Sequence, residues 1–505
     1  MHTRPSHAEP VARHAGETRA PKSQPHTLGN VSQHDYNAVL DALWINRHNV
    51  ERLNAAQAQS APKLSLEPIA ELLHELGNPH HALRCVHVAG SKGKGSICEM
   101  VAASLQGCGY TVGIYTSPHL VDLRERVRVL FESSDQPISR EAFVTLGAKI
   151  LDAAAQVDAR NHKLGKPMLS AFELLTALAL THFAELAVDV AVIEVGLGGT
   201  FDATNIITPA VCALGHIQLE HAHVLGPTLA DIALHKAGIM KQGVPAFSVP
   251  QVPEVEHVFA SRAAAVGAPL KFLGKDIEFT HRFQNAGDNA PRRGPHHKLA
   301  LMLPTRTYEH VPVPLPGEHQ AANCALALAV LESLASQGFS LPEGQVVEGL
   351  SRTPAIGRME LIHQKPRVLI DGAHTPQAVQ ALMRTLGGHL KFDSLVVVFG
   401  CNDDKDAAGM LQALSLGADK VILTKAVLSS RAIEPKELLK VFNEVNDHPH
   451  LALTAPCVKD AINLAHKSVG RNDVILVTGS FAIAGEAKKL FQDKFAQTST
   501  EIKPS

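Results

Sequence analysis

The segment Cys85-Val86-His87-Val88-Ala89-Gly90-Ser91-Lys92-Gly93-Lys94-Gly95-Ser96 decides how the first half of the chain folds. Its apolar first part predicts a short buried strand, and residues 97–105 predict a helix directly after it. Glycines let backbone N–H groups turn inward around phosphate oxygens, and the N-terminus of a helix adds its positive end. The segment therefore predicts a phosphate loop, in which Lys94 reaches the β- and γ-phosphates of a nucleotide and Ser96 ligates Mg²⁺.

Alternating strands and helices surround this loop and predict a mostly parallel sheet that is covered on both faces. In the first half, strands are predicted at 85–89, 112–115, 190–193 and 211–217, and helices at 97–105, 171–186 and 229–239. After a break near 351–357, strands are predicted at 367–371, 394–399, 419–423 and 473–478, and helices at 376–386, 406–415 and 435–445. The fold class predicted from this pattern is α/β, in two units.

The break between the two series sets the expected domain organisation. We expect an N-terminal P-loop ATPase-like domain with a mostly parallel sheet at 36–352, and a smaller C-terminal Rossmann-like α/β domain at 353–493. Residues 1–35 are polar and lack apolar periodicity, which predicts a disordered extension, and 494–505 predict a flexible tail. Residues 284–297, rich in breakers and polar side chains, predict a surface loop.

Composition and charge exclude several classes of function. The 505 residues carry 47 Lys and Arg against 49 Asp and Glu, and only 4% are aromatic, so no nucleic acid partner is expected. No uninterrupted apolar run reaches the roughly 18 residues of a membrane helix, so no membrane partner is expected either. Seven scattered cysteines without a C-x-x-C pair indicate reduced thiols and a cytoplasmic protein.

Seven further sequence blocks follow the phosphate loop along the chain. They are Thr116-Ser117-Pro118-His119, Glu194-Val195-Gly196-Leu197-Gly198-Gly199, Lys236-Ala237-Gly238-Ile239, Gly317-Glu318-His319-Gln320, Gly357-Arg358-Met359-Glu360, Asp371-Gly372-Ala373-His374 and Gly479-Ser480. In this order, over about residues 68–490, the blocks resemble those of the folylpolyglutamate synthase and dihydrofolate synthase family, within the Mur ligase superfamily. Several blocks are weak signals singly, but their ordered coincidence is highly specific.

The resemblance implies an ATP-dependent acid–amino-acid ligase. The family joins the carboxylate of a folate, or of dihydropteroate, to the amine of L-glutamate through an acyl phosphate. The resemblance further implies ATP and two Mg²⁺ ions as cofactors, a carbamylated lysine at Lys236, small-molecule substrates and a monomer. Because such a nucleotide site is built from both domains, we expect a hinge near residues 351–356.

The family's functional residues carry over to matching positions of this chain. The resemblance implies catalytic roles for Lys94, His221, Lys236 and Arg358. It implies nucleotide contacts for Gly90, Gly93, Lys94, Gly95, Ser96, Gln320, Asn323, Arg358, Asp371 and His374. It implies Mg²⁺ ligands at Ser96, Ser117, Glu194 and His221.

Five positions depart from the residues that the family usually has. They are Lys92 for Asn, Thr200 for Arg, Glu220 for Asp, His235 for Glu and Thr375 for Asn. Two alternatives therefore stay open: a Mur-type amino-acid ligase acting on a nucleotide-linked muropeptide, and a catalytically impaired ATP-binding regulator of the same fold. Only about 35 residues separate the extension from Leu72, too few for the N-terminal domain that Mur-type ligases usually carry.

Overall fold

Eight strands form the first sheet, with the strand that precedes the phosphate loop near its centre. They are Cys85–Ala89 (β1), Val112–Tyr115 (β2), Val127–Phe131 (β3), Ser134–Pro137 (β4), Val190–Glu194 (β5), Val211–Leu214 (β6), Ala246–Ser248 (β7) and Leu270–Phe272 (β8). The computed structural model describes residues 31–49, 65–285, 295–427 and 429–500. The strand order is β4-β3-β2-β5-β1-β6-β7-β8, parallel except at the β2–β3 and β3–β4 pairs.

The sequence of β1 explains its central place. All five of its residues are buried, and β5 and β6 pair with its two edges. Val86 and Val88 pack into one apolar core cluster, whereas Cys85 packs into another, because alternate side chains of a strand point to opposite faces. The predicted mostly parallel sheet with both faces covered is confirmed.

A second, antiparallel sheet follows, formed by Phe279–Gln284 (β9), His296–Met302 (β10) and Thr307–Pro312 (β11). The surface loop predicted over 284–297 is wrong at both ends, because Gln284 and His296 pair with each other across β9 and β10. Residues 286–294 lie outside the described residues. Alternate residues of β10 are buried, starting with His297, so this polar-looking segment covers core on one face.

Six strands form the third sheet: Glu360–Gln364 (β12), Arg367–Ile370 (β13), Leu395–Phe399 (β14), Lys420–Leu423 (β15), Ala452–Thr454 (β16) and Val474–Thr478 (β17). Their order is β12-β13-β17-β14-β15-β16, and only the edge strand β12 is antiparallel to its neighbour. The second predicted α/β unit is therefore confirmed. The short edge strands β12 and β16 were not predicted.

Helices cover the sheets. They are Gln33–Leu40 (α1), Glu67–Glu75 (α2), Lys94–Gly107 (α3), Arg140–Lys163 (α4), Ala171–Glu185 (α5), Ala222–Leu225 (α6), Leu229–Ala237 (α7), Pro253–Val266 (α8), Glu318–Ala335 (α9), Glu343–Ser351 (α10), Pro376–His389 (α11), Ala407–Ser415 (α12), Pro435–Val445 (α13), Val458–His466 (α14) and Phe481–Thr500 (α15). Within the described ranges, none is long and apolar enough to cross a membrane. All seven cysteines are free thiols, as expected.

The two ends of the described chain are more ordered than the sequence suggested. Residues 1–30 lie outside the described residues, but α1 begins at Gln33 because Ser32 and Asp35 form a capping box. At the other end α15 continues to Thr500, and 501–505 lie outside the described residues. The domain boundary at 352/353 falls between α10 and β12 and stays a prediction.

Two apolar or aromatic contacts are among those that join the first part of the chain to the third sheet. Leu120, which follows β2, packs into the apolar cluster of that sheet. A Cβ atom at Gly485 would overlap the carbonyl group of Leu120, so the two backbones touch there. In the second contact, the ring of Phe283 from β9 lies 5.2 Å from that of His389, at the end of α11.

The close crossing of α3 and α10 provides a test of the packing. A Cβ atom at Gly349 would lie 2.9 Å from the Cα atom of Ser104, whereas nothing lies within 4 Å of a Cβ atom at Gly344 in the same helix. We expect Gly349→Ala to lower the free energy of unfolding by about 1–3 kcal/mol, since backbone cannot give way. Gly344→Ala should instead raise it by about 0.5–1 kcal/mol. Urea unfolding measures both changes, and equal losses would contradict this description of the crossing.

Candidate active site

A cavity of about 760 Å³ lies where the carboxyl ends of parallel strands from the first and third sheets face each other. The phosphate loop (residues 90–96) follows β1, Ser117 follows β2, and Glu194 ends β5. From the third sheet, Asp371 follows β13 and Gly479 follows β17. Ligands of open α/β sheets bind at this end of the strands. The cavity is therefore the candidate active site.

Most of the predicted site residues line this cavity. They are Gly93, Lys94, Gly95, Ser117, Glu194, His221, Arg358, Asp371 and His374. The others lie outside its lining: Gly90, Ser96, Lys236, Gln320 and Asn323. Two of these touch the loop from behind, since Lys236 binds the carbonyl of Gly90 and Asn323 lies against Gly93.

Backbone hydrogen bonds hold the phosphate loop in place. The amides of Ser91 and Lys92 both donate to the carbonyl of His216, at 2.9 and 3.0 Å. Gly93 has a φ of 86°, and a Cβ atom there would overlap the side chain of Asn323. Both the backbone conformation and the neighbouring amide therefore require glycine at this position.

Two lysines converge on this loop and share an acidic partner. Lys94 and Lys236 donate to the carbonyl of Gly90 at 3.0 and 2.9 Å, and Lys236 pairs with Glu220 at 3.1 Å. Burial lowers the pKa of Lys236 to about 8. Burial alone would raise the pKa of Glu220, but Lys236, Lys94 and Lys92 lower it to about 2. Glu220 therefore stays ionised, and the cluster keeps an excess of positive charge suited to phosphates.

Glu194, Ser117 and His221 provide donor atoms that fit a divalent cation. Glu194 is buried and accepts a hydrogen bond from the Ser117 amide at 3.0 Å. Burial raises the pKa of Glu194 and lowers that of His221 to about 4, so the imidazole is neutral at pH 7. Among the described residues, no three His, Cys, Asp or Glu side chains are grouped to hold a metal ion. A Mg²⁺ ion would thus take its remaining ligands from phosphate and water, as it usually does.

The third sheet contributes Arg358, Asp371 and His374. Nη1 of Arg358 donates to the carbonyl of Ile356 at 2.8 Å, and its Nη2 atom lies so close to Gly95 that a Cβ atom there would overlap it. Burial raises the pKa of Asp371 to about 6, although two backbone amides donate to its carboxylate at 2.8 and 2.9 Å. Burial lowers the pKa of His374 to about 3. Through its contact with Gly95, the guanidinium group of Arg358 reaches the start of α3, across the cavity from the third sheet.

Sequence reasoning missed a second group of charged residues on the cavity wall. Lys405 and Arg431 lie 2.8 and 3.7 Å from the carboxylate of Asp404, and Asn402 is nearby. Three of the four follow the predicted strand 394–399, so the rule that ligands bind at strand ends would have found them. Arg431 comes from the loop after β15, and no local pattern marks it.

Known proteins resemble this chain over most of its length. The family "Mur ligase, glutamate ligase domain" matches residues 357–481. A dihydrofolate synthase/folylpolyglutamate synthase of Mycobacterium tuberculosis is 34% identical over 451 residues, which cover 85% of this chain and 90% of that protein. Its counterpart from Bacillus subtilis is 30% identical over 436 residues, 85% of this chain and 95% of that protein. The chain belongs to the folylpolyglutamate synthase and dihydrofolate synthase family.

Solved structures of this family have the same fold. Mycobacterium tuberculosis folylpolyglutamate synthase complexed with ADP matches with a TM-score of 0.78 and 32% identity, over 91% of this chain and 98% of that one. E. coli FolC in complex with DHPP and ADP matches with a TM-score of 0.75 and 28% identity, over 91% and 98%. The resemblance and the fold class predicted from the sequence are confirmed.

The contact between Gly95 and Arg358 gives a test that separates stability from activity. Gly95→Ala adds a Cβ atom that overlaps Nη2 of Arg358, so the guanidinium group has to move. We expect ATP turnover to fall about a hundredfold, while the free energy of unfolding stays equal or rises by about 0.5–1 kcal/mol. Turnover and urea unfolding are measured on the same preparation.

An Arg358→Met background is the control for this variant. If Gly95→Ala acts through Arg358, its effect on turnover largely disappears in that background. An undiminished effect there would contradict the proposed contact.

Proposed function

We propose that this protein joins the carboxylate of a folate or of dihydropteroate to the amine of L-glutamate, at the expense of ATP. The observation that carries this proposal is the cavity in which the phosphate loop faces Arg358 and His374 of the third sheet. Family membership and the ADP-bound relatives support ATP as the substrate that activates the carboxylate.

In the first step, a carboxylate oxygen attacks the γ-phosphorus of ATP, the acyl phosphate forms, and ADP leaves. Such a transfer needs alignment and neutralisation of phosphate charge rather than covalent help from the protein. The loop amides, Lys94 and Arg358 supply positive groups on two sides of the cavity. In the second step the amine attacks the acyl carbon, phosphate leaves, and the amine releases a proton.

We propose Glu194, Ser117 and His221 as the residues that hold Mg²⁺. Ser96, which is buried in α3 outside the cavity lining, stays a predicted ligand. When bound, Mg²⁺ neutralises phosphate oxygens during the transfer. Glu194 is the strongest candidate, because it is a buried carboxylate at the cavity wall. The presence of two Mg²⁺ ions in this site stays a prediction.

The charged group Asp404, Lys405 and Arg431 suits the amino acid. L-Glutamate carries one ammonium and two carboxylate groups, and this wall presents one carboxylate between two cations. The "glutamate ligase domain" match covers these residues, which supports placing the amino acid on this side. We propose that they orient its amine toward the acyl phosphate.

The departures from the family pattern favour an active enzyme over an impaired regulator. Thr200 and His235 contact each other, since the Thr200 amide and hydroxyl donate to the His235 carbonyl at 2.9 and 3.1 Å. Thr375 caps α11 by accepting a hydrogen bond from the amide of Ala378, a role that asparagine also fills.

We expect the enzyme to work in the cytoplasm as a monomer. The location and the oligomeric state both stay predictions.

Phosphate release by the purified protein tests the proposed function. With MgATP and L-glutamate, we expect release when either dihydropteroate or tetrahydrofolate is supplied, and at least a hundredfold less with Lys94→Ala. Release with one acceptor alone would identify which step the enzyme performs. Release only with a nucleotide-linked muropeptide would favour the Mur-type alternative, and ATP binding without any release would favour the regulator.

We propose that Lys236 can become carbamylated in a form of the enzyme in which its ion pair with Glu220 is open and its amine is neutral. The neutral nitrogen attacks the carbon of CO₂, an N–C bond forms while one C=O π pair moves onto oxygen, and the nitrogen then loses one proton to give the carbamate. Because burial lowers the pKa of Lys236 to about 8, the neutral fraction should grow as pH rises through that value. We expect a carbamate signal in ¹³C NMR with labelled bicarbonate, larger at pH 9 than at pH 7.

Two variants serve as controls for the carbamate signal. The signal should vanish in Lys236→Met and persist in Lys149→Met, which removes an exposed lysine far from the cavity. A spectrum of Lys236→Met identical to that of the wild type at pH 9 would show that the proposed modification is absent.

A further inference from the structure

Lys92 is a departure from the family pattern that the proposed chemistry does not use. Its amide is fixed by the carbonyl of His216 at 3.0 Å, and its side chain leaves this rigid backbone toward the third sheet. There its Nζ atom lies 3.5 Å from Nε2 of His374. On the near side, the same Nζ atom lies 3.7 Å from Oε2 of Glu220. The asparagine usual at this position is shorter and carries no charge.

The hydrogen bonds of His374 define the chemistry of this link. Its Nδ1 atom lies 2.8 Å from the carbonyl of Gly372, so Nδ1 is the donor and carries the proton. The Nε2 atom therefore presents its lone pair to the ammonium group of Lys92. An imidazolium would lose this acceptor and repel the lysine, so the link requires neutral His374.

The Glu220 carboxylate extends the link to the far wall. Oε1 accepts from Lys236 at 3.1 Å, while Oε2 faces Lys92. The four side chains Lys236, Glu220, Lys92 and His374 thus form a continuous polar chain from α7, across the phosphate loop, to the third sheet. Three lysines, Lys92, Lys94 and Lys236, surround this carboxylate, so an anion entering the cavity meets an excess of positive charge.

We propose that Lys92 is a positioning residue that couples the seating of the nucleotide phosphates to the docking of the third sheet, through His374. This role rests on the proposed function, because it takes the anion that enters the cavity to be the polyphosphate of ATP. Lys92 holds His374 against the loop on one side and Glu220 on the other. Loss of its charge leaves the third sheet without this connection to the loop.

The first test compares Lys92→Met with Lys92→Arg and with Lys149→Met as the matched control. Lys149 is a half-exposed lysine that pairs with Glu185, away from the cavity. We expect Lys92→Met to lower kcat/KM for ATP at least tenfold and to leave KM for the folate acceptor within twofold. Lys92→Arg should recover part of the loss. Equal kcat/KM values for Lys92→Met and the control would overturn the proposal.

A pH titration of His374 separates positioning from a loss of structure. Burial, more than the charges of Lys92, Lys405 and Glu220, sets the pKa of His374 at about 3, and removing the Lys92 charge raises that pKa. The imidazole signal of His374 in NMR should therefore titrate at a higher pH in Lys92→Met than in the wild type, within the range from about 3 to about 6. Equal titration midpoints in the two folded proteins would contradict the contact between Lys92 and His374.

A third measurement does not need ligation to occur. Hydrogen–deuterium exchange over residues 371–374 should slow in the wild type when a non-hydrolysable ATP analogue is added, but not in Lys92→Met. If Lys92→Met does not fold, as judged by circular dichroism, Lys92→Gln takes its place. Slowing in both proteins would overturn the proposal, whereas absent folate turnover with slowing in the wild type alone would reject only the proposed function.

Discussion

The Glu220 carboxylate, shared by Lys236 and Lys92, is the interaction on which the rest of the site depends. A carboxylate that is 12% exposed is costly to ionise unless cations pair with it. Lys236, which forms an ion pair with Glu220, also donates a hydrogen bond to the carbonyl of Gly90. Lys92, on its other oxygen, is bound through its amide to His216. One partly buried charge thereby connects α7, the segment after β6 and the phosphate loop into one wall of the cavity.

The opposite wall of the cavity consists of residues that lie beside the strands of the third sheet. Arg358 and His374 belong to the part of the chain that contains the third sheet, yet their polar atoms reach Gly95 and Lys92 of the loop. Neither wall alone surrounds a phosphate group. The apolar contact of Leu120 lies beside this polar junction and gives it a fixed edge. The two walls therefore act as one site only when the sheets are docked, which is what protection of an acyl phosphate from water requires.

Much of this arrangement could be predicted because its signals are local. The strand Cys85–Ala89, the glycines of the loop and the helix after them occur in one short segment, and the carboxyl-end rule places Glu194 and Asp371 beside them. The antiparallel sheet could not be found in the same way. Its strand His296–Met302 begins with two histidines, and its register is set by the strand Phe279–Gln284 that pairs with it rather than by its own composition.

Pairs of distant residues explain what sequence reasoning left open. Thr200 and His235 each depart from the family pattern, and taken singly each suggests a damaged site. In the fold they are partners, because the threonine hydroxyl binds the backbone carbonyl at 235, which any residue there would provide. The same holds for Lys92. Its partners Glu220 and His374 lie 128 and 282 positions after it in the sequence. A departure in one position has a physical meaning only together with the group that it faces, and that group is supplied by topology.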